Sequence, residues 1–378
     1  MRLEPPVPEK ALAAIRAPFL EASPTPLDAP VLQPLGLLLD QAGEALRERL
    51  FVVLGDSGQE LALRPDFTIP AVNAHIASGK ASGRYFYEGH AFRVAPKGSE
   101  RAEEFLQIGV EAFEPDDPAK GDAEMAALAW RAAAAGGRDD LSLLFGDVGL
   151  FAAFVDALEL AEPLAARLKR AFSSPRRLWG ELDAAASDAP GQRGGDRLAG
   201  LLAGLSEAEA TAVLEEVWAL AGIEPVGGRS AGEIVHRLSE RAALANAPRL
   251  APEQAEQIRR FLSVEGEPEA ALAAIRRVAG PGRKGLDAAL AGWTKRLKAL
   301  TAEGAPAKAV RFSAAFGRAF GYYDGVLFEV RSAALGPDQP VAAGGRYDAL
   351  PQRLGARVKT GAVGCMVRPG RAYAGKRR

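Results

Sequence analysis

The sequence is poor in the residues that metal and thiol chemistry require. It has one cysteine, Cys365, which excludes a disulfide framework and leaves a cysteine-based zinc site unexpected. Its three histidines, His75, His90 and His236, share no metal-ligand spacing. No metal and no cofactor is therefore expected. No run approaches 18 apolar residues without a charge, so no membrane-spanning helix is expected. The N-terminus, MRLEPPVPEK, lacks the apolar stretch of a secretory signal. Both absences point to a cytoplasmic protein with no membrane partner. Neither charge is in excess. Lys and Arg number 47 against 48 Asp and Glu, so nothing draws the whole chain to nucleic acid or an anionic surface. The basic tail GKRR reads as a solvated terminus. Catalytic signatures are missing too. There is no GxSxG elbow, and GPGRKG (280–285) lacks phosphate-loop spacing and follows no strand, so it reads as a helix–helix turn.

What is present is enough apolar residue, 48%, to fill the cores of two or three domains in 378 residues. The prolines at 24, 26, 30 and 34 forbid one continuous helix near the start. Apolar runs at 50–54 and 61–63, joined by a Gly/Asp/Ser turn, predict a hairpin. A helix is expected from about Pro70 to Ser78, and an Ala-rich one from Asp122 to Ala135. Alternation predicts paired strands at 84–93 and 104–113, and LSLLFGD reads as a buried strand. From 149 to about 305 the apolar residues fall at spacings of three and four, which predicts a helical block. Strands return in AVRFSAAF, GYYDGVLFEVRS, PVAAGGRYD and TGAVGCMV. Sheet, helical block, then sheet implies a domain split by a helical insertion, with 1–150 and 305–378 forming one unit and 151–304 the insertion.

Four polar clusters lie at the ends or along the faces of these strands. LALRPDFT places Asp66 and Thr68 just past a strand. The strand pair carries Arg93, Gln107 and Glu111. GRAFGYYDGVLFEV places Arg318, Tyr322 and Tyr323 at a strand start, and AAGGRYDAL places Tyr347 and Asp348 after two glycines. Carboxylates, an amide, a guanidinium and phenols suit a small zwitterion: acids take its ammonium and the guanidinium its carboxylate.

In this order and spacing the clusters resemble the class II histidyl-tRNA synthetases. RYFYEGHAFR…EFLQIGVEAF is similar to motif 2, LALRPDFT to the LRPEGT block, and FGYYDGVLFEV and GGRYDAL to the two histidine-specific blocks. The resemblance spans about 1–150 and 305–378. It implies an α+β fold, an antiparallel sheet flanked by helices. It also implies a histidine pocket built from Asp66, Thr68, Arg93, Gln107, Glu111, Arg318, Tyr322, Tyr323 and Tyr347. Glu111 and Asp66 would hold the ligand ammonium, Arg93 and Gln107 its carboxylate, and Tyr323 and Tyr347 would frame the imidazole.

The departures are as informative. Motif 2 in that family carries a glutamate that supports ATP. Here the run is Phe92-Arg93-Val94-Ala95. Motif 3 ends in a helix whose arginine clamps phosphates. Here Pro369 precedes Arg371 and is expected to disrupt that turn. No C-terminal anticodon-binding domain is expected in the remaining residues. Retained histidine blocks with altered ATP and tRNA parts resemble the synthetase-like regulatory subunits of ATP phosphoribosyltransferase, whose LRPDFTIP and YYDGVLFEV spellings this chain shares. That resemblance implies no catalytic residues, and a hetero-oligomer with a short-form catalytic subunit. It further implies L-histidine as effector, no nucleic-acid partner, and a homodimer contact near Leu27–Leu39. A truncated histidine-activating enzyme is the alternative, kept open by Arg318.

Overall fold

The computed structural model describes residues 2–42, 44–56, 58–114, 117–186, 205–221, 231–232, 234–235, 250–317 and 321–375. Arg318, His236 and the last three residues of the GKRR tail lie outside the described residues. The strands are β1 (Thr25–Pro26), β2 (Leu32–Pro34), β3 (Val52–Leu54), β4 (Glu60–Leu63), β5 (Gly83–Phe92) and β6 (Glu104–Glu114), followed by β7 (Leu141–Asp147), β8 (Glu265–Gly266), β9 (Val310–Ser313), β10 (Val326–Ser332), β11 (Ala342–Arg346) and β12 (Gly361–Val367). Nine form one sheet in the order β1-β5-β6-β12-β11-β10-β7-β9-β8, while β2, β4 and β3 form a small second sheet. The middle of the large sheet is antiparallel from β5 through to β7. The expected antiparallel sheet flanked by helices is present, with parallel pairs added at its flanks: β1 runs parallel to β5, and β9 parallel to β7. The sheet is mixed, and the class is α+β.

Strand alternation sorts the two faces. Ile108, Val110 and Ala112 of β6 point to the main core, where they meet the Ala-rich helix α4 (Pro118–Ala134), the fourth after α1 (Glu9–Leu20), α2 (Leu35–Ala42) and α3 (Thr68–Ser78). Small side chains at Ala126, Ala129, Ala132 and Ala133 are fully buried, which lets α4 lie close against β11 and β12. α4 starts at Pro118, earlier than the expected Asp122. Asp117 caps it by accepting from Ala119 N at 3.0 Å, and proline is favoured in the first turn. Likewise α3 starts at Thr68 rather than Pro70.

The helices described between Val148 and Ala186 and between Pro252 and Ala302 share the main core with the sheet, whereas Ala210 and Leu214 of the Glu207–Ala221 helix sit in a separate small cluster with Ala231 and Val235. The last of them, Lys284–Ala302, packs on α4. Its Trp293 indole donates to Asp147 at 2.6 Å, and its Arg296 donates to Asp122 at 2.6 Å. Asp122 also accepts from Arg346 of β11 at 2.7 Å, so one buried carboxylate ties sheet to both helices.

The expectation for Pro369 is also corrected. Residues Pro369–Ala372 do form a helical turn, with proline at its first position, where no backbone donor is needed. Among the described residues no helix is long and apolar enough to cross a membrane.

Candidate functional site

The pairing of β5 with β6 puts Tyr85 opposite Glu111, Tyr87 opposite Gly109 and Gly89 opposite Gln107. Gln107, Gly109 and Glu111 therefore share the face turned away from the main core. β12 extends that face, with Gly364 opposite Glu111 and Met366 opposite Gly109. Two glycines make the floor possible. A Cβ at Gly109 would strike the Tyr87 hydroxyl and the Cys365 carbonyl, and one at Gly364 would overlap the Glu111 carboxylate. Glu111 thus lies flat over β12.

Above the floor stand the loop after β4, carrying Asp66, the first residue of α3, Thr68, and the turn at Tyr322–Tyr323 ahead of β10. Together they border a small, partly open cavity; the empty space over it, open solvent included, is about 350 Å³. Glu111 is 2% exposed. It accepts from Thr68 Oγ1 at 3.0 Å, from Tyr87 Oη at 3.3 Å, and from Tyr347 Oη. Burial pushes its carboxyl up to about 7. The three hydroxyls pull it back only in part, and the neighbouring Asp66 adds to the rise. Asp66 accepts from Thr68 N at 3.2 Å and Tyr322 Oη at 3.1 Å. Burial raises the Tyr87, Tyr322 and Tyr347 phenols well above their usual range, so they act as neutral donors. Arg93 donates Nε to Pro65 O at 2.8 Å, which fixes its guanidinium at the cavity rim. Gln107 is 1% exposed, lines the cavity, and neither amide atom has a hydrogen-bond partner among the described residues. A buried amide left so costs free energy unless a ligand meets it. The arrangement can hold one small molecule that presents a cation to the carboxylates and acceptors to the amide and guanidinium.

Seven of the nine sequence-expected residues line this cavity: Asp66, Thr68, Arg93, Gln107, Glu111, Tyr322 and Tyr323. Tyr347 does not. It is buried and donates its hydroxyl to Glu111, so it meets that carboxylate rather than the cavity. Arg84 takes the opposite face of the strand pair and holds Glu124 of α4 at 2.8 Å. Sequence reasoning missed Tyr87, which stacks on Phe67 at 4.5 Å and donates to Glu111. Its signal was available, because strand alternation places Tyr87 on the face of Tyr85. Cys365 and Met366 of β12 also line the cavity, and burial keeps the thiol protonated.

The chain is similar to known proteins in sequence and in fold. The sequence model of the histidyl-tRNA synthetase family matches residues 26–224 and 210–369. Curated ATP phosphoribosyltransferase regulatory subunits are similar over most of their length. That of Mesorhizobium japonicum is 38% identical over 348 residues, 90% of each chain. That of Agrobacterium fabrum is 38% identical over 341 residues, 89% of each. Among solved structures, a Bacillus halodurans protein described as an ATP phosphoribosyltransferase regulatory subunit/histidyl-tRNA synthetase superimposes with a TM-score of 0.62 at 22% identity. The match covers 97% of this chain and 78% of that one. The Nostoc histidyl-tRNA synthetase gives 0.61 at 17% identity, covering 96% and 70%. These two show a shared fold. With the curated relatives, they show that the chain belongs to the family of ATP phosphoribosyltransferase regulatory subunits, built on the histidyl-tRNA synthetase fold.

Proposed function

We propose that this chain is the regulatory partner of a short-form ATP phosphoribosyltransferase catalytic subunit, in the first step of L-histidine biosynthesis. Its amino-acid pocket takes L-histidine as the feedback inhibitor. The observation that carries the second part is the buried polar set around Gln107. Two carboxylates, a guanidinium and an amide with no hydrogen-bond partner among the described residues converge on one small cavity. Glu111 and Asp66 receive the ammonium, Arg93 and Gln107 receive the carboxylate, and Tyr323 flanks the imidazole. Feedback then requires that histidine bind two states of the complex with different affinity.

The chain contributes no catalysis of its own in this reading. Ala95 stands where motif 2 of a working synthetase carries its ATP-supporting carboxylate. A cytoplasmic homodimer fits as well. The side chains Val31, Leu32, Val52, Val53 and Leu54 are exposed on and beside the small sheet, Leu54 to 76%, and a second copy would cover part of that apolar area.

The experiment mixes the purified chain with a short-form catalytic subunit. Phosphoribosyltransferase activity should rise and a larger particle should elute on sizing. Separate elution at micromolar concentration with unchanged activity would end the regulatory reading.

A further inference from the structure

Arg64 of the LALRPDFT stretch is a buried cation outside the cavity lining, 8% exposed. Its hydrogen bonds go to backbone carbonyls rather than to carboxylates. Nε donates to His90 O at 2.8 Å, and Nη1 donates to Ala29 O. Its backbone joins the same two stretches. Arg64 N donates to Val31 O at 2.8 Å, and Phe92 N donates to Arg64 O at 3.0 Å. One residue thus spans the segment before β2 and the end of β5. Burial lowers the guanidinium, and the neighbouring Asp28 offsets that only in part. A buried cation is a costly way to join two segments, and an apolar side chain would fill the space at less cost. What the guanidinium adds is a flat plate held in a fixed plane by its donors.

That plate lies over Phe67, with Arg64 Cζ 4.3 Å from the ring centre. Phe67 in turn stacks on Tyr87 at 4.5 Å, with the two planes 3° apart. Strand alternation puts Tyr87 and Gly89 on one face of β5, and Gly89 leaves the room the stack needs. A Cβ at Gly89 would come 2.7 Å from Arg64 Nη2 and 3.0 Å from Phe67 Cζ. Phe67 and Tyr87 pack with Ala29 in a small cluster outside the main core, so the stack is what sets their planes. It ends at the pocket floor, where Tyr87 Oη donates to Glu111 at 3.3 Å. We propose that Arg64 is a positioning residue for the pocket: it holds Phe67, which holds Tyr87, whose hydroxyl aims the Glu111 carboxylate at the ligand cation. The proposal rests on the histidine reading for the identity of that ligand, while the chain of contacts to Glu111 stands apart from it.

The test is a double-mutant cycle on the full chain at pH 7, read by calorimetric titration with L-histidine. Tyr87→Phe keeps the ring on Phe67 and removes the hydroxyl. It should weaken binding about five-fold, the equivalent of one hydrogen bond. Arg64→Lys keeps the charge but cannot lie flat on Phe67 while reaching both carbonyls, and should weaken binding about as much. Both act through one hydroxyl, so the double variant should bind within about two-fold of Tyr87→Phe alone. A merely structural role for Arg64 would make the two effects multiply. If Arg64→Lys does not melt cooperatively, Gly89→Ala takes its place in the cycle, since its methyl group pushes Arg64 and Phe67 off the stack, and the same result is expected. A carboxyl NMR titration of Glu111 supplies a readout without ligand. Each single variant and the double should raise the midpoint by the same amount, because each removes the same donor to the ionised form. No saturable histidine binding by the wild type would refute the histidine reading alone, and this titration would then decide the proposal. Effects that multiply in the cycle, midpoint shifts that add in the titration, or an Arg64→Lys protein matching wild type in both would overturn it.

Discussion

Replacing Glu111 with Gln separates the energetic cost of that side chain from its use. The substitution keeps the shape and one acceptor oxygen, and removes the charge. Burial raises the carboxyl from 4.5 to about 7, against the pull of three hydroxyl donors. At about 1.4 kcal/mol per pH unit, ionising Glu111 in the fold therefore costs about 3 kcal/mol more than in the unfolded chain. The folded state holds this proton more tightly, so the stability linked to Glu111 is complete below pH 4.5. It is lost as pH rises from 4.5 to 7. Glu111→Gln should remove that fall. Its denaturant-derived stability, relative to wild type, should gain up to about 3 kcal/mol between pH 4.5 and pH 8. Ligand binding should move the other way. An ammonium stabilises the ionised carboxylate, so wild-type histidine affinity should climb with pH and level off near 7, beyond the change due to histidine's own imidazole. The variant should lack that extra slope. At pH 8 it should bind about ten- to a hundred-fold more weakly, the equivalent of losing a charge-assisted contact of about 1.5–3 kcal/mol. Urea melts at pH 5 and 8, with calorimetry at pH 6 and 8, measure both effects. Identical stability profiles for the two proteins, together with histidine affinities within two-fold, would refute the reasoning.

Gln107→Met should raise stability by about 1–3 kcal/mol, because it removes an amide buried without a partner, and should weaken histidine binding about ten-fold. Urea melts and calorimetry on the same sample check this pairing of opposite signs. Asp122→Asn should cost about 3 kcal/mol, the low end for a broken buried pair, since Arg296 loses its anion while the buried Arg346 keeps Asp348. A shift in the urea midpoint with an unchanged slope would measure it.

The reach of the sequence follows from the range of each interaction. β5, β6 and β7 were legible because alternation is a local property, as was the Ala-rich α4. Strand direction at the flanks was not. Nothing in Thr25–Pro26 or Val310–Ser313 says that these short segments pair in parallel. The start of α4 was readable in principle from Asp117 and Pro118, a capping residue followed by proline. Pro369 was misread because proline breaks a helix interior but suits its first turn. In the pocket, residue types brought out most of the lining, yet the place of Tyr347 did not follow from its type. Only the folded chain shows it behind Glu111 rather than beside the cavity.

The central claim is that the pocket over Glu111 is where histidine acts. Inhibition curves on the complex reconstituted with a short-form catalytic subunit test it most directly, comparing wild type with Glu111→Gln and Tyr347→Phe. Both variants should assemble and support full uninhibited activity, with the half-inhibiting histidine concentration raised, about ten-fold or more for Glu111→Gln. Curves that superimpose on wild type for both variants would contradict the account and place the action of histidine elsewhere in the complex.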